Sequence, residues 1–111
     1  MSHPPNFLRT YRKRSPLTQS DIAYLLKLPD YSNISRCEKG QRTPGVELLL
    51  VYHLLFDTSI ESFFEPQSKI ILLSLLEEIA NLISETKKEE AIPKNTSRIK
   101  FLEQVIIRLT N

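Results

Sequence analysis

Apolar residues in this chain recur at steps of three and four, and no stretch convincingly alternates apolar with polar residues as a half-buried strand would. That periodicity confines the fold to helices, and prolines, caps and glycines mark where each one ends. Asn6 can cap a first helix running to about Arg14, with Phe7, Leu8 and Tyr11 on one face. Ser15-Pro16 ends it, because proline disfavours helical geometry in the residue before it. Thr18-Gln19-Ser20-Asp21 reads as a capping box with aspartate in the usual glutamate position, and Ile22, Ala23, Leu25 and Leu26 give the second helix its apolar face. Pro29 stops that helix, Asp30 caps a third from about Tyr31 to Lys39, and Gly40 suits a left-handed termination. The run from Gly45 to Phe56 is apolar nearly all round, which predicts a helix buried on most sides, and a short fifth helix from Ser59 to Phe64 closes before Pro66.

From Ser68 the texture changes. Leu72, Leu76, Ile79 and Ile83 step by four, three and four, widened by Ile71, Leu75 and Leu82, so a long amphipathic helix of roughly five turns is expected. The polar segment from Thr86 to Asn95, with Pro93 inside it, reads as a loop. A last helix from about Thr96 carries Ile99, Leu102, Ile106 and Leu109, flanked by Phe101 and Val105. The expected architecture is all-α with about seven helices: a five-helix unit over residues 1–66 and a helical hairpin over residues 67–111.

Composition narrows the chemistry. A chain of 111 residues, 41% apolar and 25% charged, suits one ordinary globular domain with an appendage. Two glycines against seven prolines leave no glycine-rich phosphate cradle. One cysteine, Cys37, with His3 and His53 far apart, makes neither an internal disulfide nor a zinc site, so no metal and no cofactor are expected. No nucleophile–base pair stands out either, and an enzyme is not expected. Neither a signal peptide nor a membrane span is evident, which predicts a soluble cytoplasmic protein without a membrane partner. The net charge of +2 hides an asymmetry: up to Pro44 there are eight basic and three acidic residues, a net of +5, and in the remainder seven and ten, a net of −3. A polyanion partner for the first part accounts for that split, and so does a solvated helical face.

Two short helices joined by a tight turn, with a basic bias, are what a helix-turn-helix module requires. In order along the chain stand Leu17-Thr18-Gln19, Ile22-Ala23, Ile34-Ser35-Arg36 and Glu38-Lys39-Gly40-Gln41-Arg42-Thr43-Pro44. Together they resemble the Cro/CI-type (XRE) helix-turn-helix family of bacterial and phage regulators. The likeness runs from about Leu8 to Phe64 and takes in Asp57-Thr58-Ser59-Ile60-Glu61-Ser62-Phe63. It implies a lambda-repressor-like DNA-binding domain and sequence-specific recognition of double-stranded DNA by a dimeric transcriptional regulator, a repressor acting on a palindromic operator. Two departures are visible: one extra residue in the turn around Leu28-Pro29-Asp30, and Cys37 where the family has a bulky apolar residue.

A helix in the major groove presents its first turns to base edges, so Tyr31, Ser32, Asn33, Ser35 and Arg36 are the candidates for reading sequence, Arg36 towards guanine and Asn33 towards adenine. Lys39, Gln41 and Arg42, with Lys13 and Arg14, are placed to hold backbone phosphates. The resemblance adds Gln19 as a phosphate-clamping residue and implies that Arg12 and Glu38 form a structural ion pair between the first and third helices. Thr18 is expected to cap, and His53 to pack. The hairpin's apolar stripe is wider than two helices can bury, so it needs a partner surface: a second copy, the back of the first unit, or another protein. A homodimer through Leu72, Leu76, Ile79, Ile83, Leu102 and Ile106 is the expectation, in a four-helix arrangement. The alternative is an antitoxin-like interaction protein whose C-terminal helices bind a protein partner.

Overall fold

The structure is a computed structural model that describes residues 6–111; the proline-bearing leader and His3 lie outside the described residues. Among the described residues there is no strand. The helices are α1 (Leu8–Lys13), α2 (Gln19–Leu25), α3 (Ser32–Glu38), α4 (Val46–Phe56), a 3₁₀ segment (Ile60–Phe64), α5 (Glu65–Lys87) and α6 (Pro93–Thr110). The chain divides into two compact units, one ending at Ser68 and the other running from Lys69 to Asn111. No helix among the described residues is long and apolar enough to cross a membrane.

Local chemistry explains the boundaries of the first unit. The Asn6 carboxamide oxygen accepts the Leu8 N–H at 3.0 Å, satisfying a donor that the start of α1 leaves free. At the start of α2, Thr18 Oγ1 accepts the Asp21 N–H at 3.1 Å and Asp21 Oδ2 accepts the Thr18 N–H at 2.8 Å, closing the capping box. Both α2 and α3 end in the same paired closure. The Lys27 and Leu28 N–H groups donate back to Tyr24 and Ala23, and those of Gly40 and Gln41 donate back to Cys37 and Arg36. The residue after each cap is left-handed: Gly40 at φ 73° and Lys27 at φ 58°. Asp30 then accepts the Ser32 N–H at 2.9 Å to start α3. Residues 26–31 connect α2 to α3, and in that turn a lysine adopts the conformation that glycine would take without strain.

The core of this unit is Leu8, Ile22, Ala23, Ile34, Cys37, Leu48, Tyr52 and Phe63, drawn from every element between α1 and the 3₁₀ segment. Tyr11 and Tyr52 both meet Phe63 edge-on, with centroids 5.4 and 6.1 Å apart.

Several expectations need correction. Helix α4 buries only Leu48 and Tyr52, while Val46, Leu50, Leu54 and Leu55 are exposed, so it is not enclosed on most sides. The fifth element is a 3₁₀ turn that runs directly into α5 at Glu65. Pro66 sits in the first turn of α5 rather than after a helix, and Pro93 opens α6 rather than lying in a loop. The reason is shared: the first N–H groups of a helix have no carbonyl to donate to, so proline loses nothing there and its fixed φ suits the turn. The connection therefore shrinks to residues 88–92.

In the second unit, α5 buries Ile79, Ile83 and Thr86, and α6 buries Asn95. Asn95 donates to the Glu90 carbonyl at 2.9 Å, and Arg98 reaches Glu89 at 3.4 Å, tying the start of α6 to the connection before it. Ile70, Ile71, Leu73, Leu75, Leu82, Phe101 and Ile107 remain exposed.

Candidate nucleic-acid interface

Helix α3 is short and two-sided. Ile34, Cys37 and Glu38 are buried, while Ser32, Arg36 and Lys39 are exposed, with Tyr31 exposed just ahead of the first turn. These two sets follow the three-and-four spacing of opposite helix faces. Ser35 and Asn33 are half-buried on the flanks, and Asn33 Oδ1 lies 3.9 Å from the Cys37 thiol. Of the five residues expected to read bases, Tyr31, Ser32 and Arg36 therefore share the open face, and Asn33 turns towards the Cys37 side. Cys37 is a packed hydrophobe: burial pushes its thiol up, and its carbonyl accepts the Asn6 amide at 2.9 Å.

The buried side of α3 ends in a carboxylate with four donors. Arg12 Nε and Tyr52 Oη both donate to Glu38 Oε2 at 2.7 Å, while Arg12 Nη2 and Gln19 Nε2 donate to Oε1 at 2.9 and 3.0 Å. The Glu38 side chain is 1% exposed and that of Arg12 10%. Burial alone would push the Glu38 carboxyl up, but the hydrogen bonds from Arg12, Tyr52 and Gln19, with the guanidinium charge, hold it below the ordinary carboxylate range. The Glu38 hydrogen bond correspondingly raises Arg12, and burial together with the Glu38 carboxylate keeps the Tyr52 phenol protonated. The remaining Arg12 donor, Nη1, reaches the Leu17 carbonyl at 3.2 Å. Among the described residues no buried side-chain polar atom lacks a partner.

Gln19 is thus shared between two environments. One amide N–H is engaged by Glu38, and the side chain also lines an open hollow with Arg9, Arg12, Thr18, Ser20 and Tyr31. Arg9 was not among the expected contacts, although it precedes Arg12 by three residues and so falls on the same side of α1. Arg14 goes elsewhere: its guanidinium stacks 4.9 Å from the Tyr11 ring centroid, in a second hollow with Ser15, Leu55, Phe56, Asp57 and Thr58. Lys13, Lys39, Gln41 and Arg42 are exposed. His53, half-buried, bonds through Nδ1 to the Thr58 carbonyl and so braces the left-handed Asp57 at the end of α4. Among the described residues no group of three potential ligands could hold a metal ion.

The residues expected in a two-fold interface differ in burial. Ile79 and Ile83 are already buried within a single chain, and Leu72, Leu76, Leu102 and Ile106 are half-buried. The exposed apolar residues flank that stripe: Ile71, Leu75 and Leu82 on α5 and Phe101 on α6. No family model, no curated protein and no solved structure matches this chain.

Proposed function

We propose that the chain is a sequence-specific binder of double-stranded DNA that uses the open face of α3, and that it acts as a dimeric transcriptional repressor of the Cro/CI type. The observation that carries this reading is the two-sidedness of α3: Ile34, Cys37 and Glu38 anchor it, while Tyr31, Ser32, Arg36 and Lys39 are exposed, within the first 44 residues that carry a net +5. Arg36 is the residue for base reading, because a guanidinium can grip guanine with two hydrogen bonds. Arg9, Gln19, Lys39, Gln41 and Arg42 hold phosphates, which fix register without reading sequence. One half-site gives modest affinity, so two copies on a palindrome are required, joined through the exposed apolar flank of the second unit.

Selection of bound sequences from random duplex DNA tests the reading. It should yield a palindromic motif, and Arg36→Ala should then cost about 1–3 kcal/mol and relax preference at one base pair. Arg42→Ala and Arg9→Ala should weaken all sequences alike and each reduce the salt slope by about one unit. Recovery of no motif would sink the proposal. The exposed apolar side chains of α5 and α6 also support a second reading, in which a different protein covers them. A wild-type monomer that co-purifies with a stoichiometric partner would favour that reading.

A further inference from the structure

The ion pair between Arg12 and Glu38 does not require Tyr52. A phenylalanine would fill the same space beside Phe56 and Phe63, yet a hydroxyl stands there, fully buried, with Glu38 as its acceptor. A buried hydroxyl is costly unless it is bonded, so its presence at the centre of the core needs a return. The division of donors between the two carboxylate oxygens supplies one. Tyr52 and the Arg12 Nε hold Oε2 from two sides, which leaves Oε1 aimed at the Arg12 Nη2 and at Gln19. Two members of this group, Arg12 and Gln19, also line the open hollow beside Tyr31 and Arg9, and Gln19 is the less buried of the two. With one amide hydrogen engaged by Oε1, its second amide hydrogen has a fixed direction.

Resting on the reading of this face as a DNA-binding surface, we propose that Tyr52 is a positioning residue for DNA: through Glu38 it fixes the Gln19 amide that meets a backbone phosphate. Tyr52 lies on α4, Glu38 on α3 and Gln19 at the start of α2, so a residue with no surface of its own sets the geometry of a surface contact. Without the hydroxyl, Oε2 keeps only the Arg12 Nε; the Arg12 fork still holds the carboxylate plane, but the carboxylate loses the contact that fixes its position along that fork, and the Gln19 amide shifts with it. The Arg12 pair itself remains, so the unit still folds.

The test is a double-mutant cycle on the selected duplex, read by fluorescence anisotropy at a temperature where all variants are folded by circular dichroism. Tyr52→Phe should weaken binding about fivefold, within the range for residues sharing one hydrogen-bond network, and less than about twofold once Gln19→Ala is present. Equal losses in both backgrounds, or a lowered Tm with unchanged binding, would overturn the proposal and leave Tyr52 a purely structural residue. A second readout needs no DNA: the Gln19 side-chain amide resonance of the free protein should shift and exchange faster in Tyr52→Phe. An unchanged amide would refute the coupling even if binding fell. A wild type that binds no duplex, with the amide shifted as expected, would instead overturn the DNA reading of the face while the coupling stands.

Discussion

Removing Arg12, which is buried in its pair with Glu38, should cost the first unit a large part of its stability, and the cost should depend on pH. In Arg12→Ala the Glu38 carboxylate, 1% exposed, keeps only Tyr52 and Gln19 as donors and loses its counter-charge. Breaking a buried pair from one side costs about 3–5 kcal/mol, because the surviving ion is left uncompensated. Two remaining hydrogen bonds place this case at the lower end, about 3 kcal/mol. A unit of this size has a total stability of only about 3–9 kcal/mol, so the variant should sit close to its unfolding threshold at neutral pH. In the wild type, Glu38 is held below its ordinary range, so its contribution is present above the unfolded carboxylate pKa and is lost as pH falls through the lower folded value. In the variant, burial is no longer outweighed by the guanidinium, and the folded pKa should rise above the unfolded one. The sign then reverses, and the variant recovers stability as pH falls towards about 4, where the carboxyl takes up its proton. Urea unfolding followed by circular dichroism at pH 7 and pH 4 should therefore show a large gap between the two proteins that narrows in acid. A gap under about 1 kcal/mol at pH 7, or one of the same size at both pH values, would refute the reasoning.

Two further outcomes follow from the fold. Lys27→Gly relieves a left-handed lysine in the turn before α3, and after the entropy cost of glycine it should gain about 0.5–1 kcal/mol, a few degrees in Tm; a loss of stability would mean that the lysine side chain contributes more than its backbone strain costs. Leu75→Lys combined with Phe101→Lys should abolish the proposed dimer with little change in helix content, whereas Ile79→Asp should melt the second unit, because Ile79 is buried within one chain and the other two are exposed. Sedimentation paired with circular dichroism separates these, and a dimer that survives the double lysine variant would place the interface elsewhere.

What was legible in the sequence was the part governed by local chemistry. The Thr18 capping box, the left-handed Gly40 and the helical periods each depend on residues within one or two turns of one another, so spacing alone exposes them. Pro66 and Pro93 were ambiguous for the same reason: a proline marks a helix boundary from either side, and only the hydrogen-bond partners of its neighbours say which. Helix α4 misled because an apolar composition shows what a helix could bury without showing how much protein surrounds it, and Val46 and Leu54 are left exposed. The stripe on α5 is open in a related way. A three-and-four pattern identifies a seam without saying what covers it: Ile79 and Ile83 are buried by their own chain, while Ile71, Leu75 and Leu82, which widen the pattern, are exposed.

The candidate site divides along the same line. Ser32 and Arg36 could be placed on one face by counting along α3, and the Arg12–Glu38 pair followed from a family resemblance rather than from spacing. Tyr52 lies fourteen residues beyond Glu38 and Gln19 nineteen before it, and no periodicity connects them. What joins them is the need of one buried carboxylate for donors, a need that becomes visible only when four helices converge on it. A single Glu38 side chain therefore ties the stability of the unit, the pose of α3 and the direction of a surface amide to one another. A change chosen to test any of them, Tyr52→Phe above all, must be read for its effect on the other two.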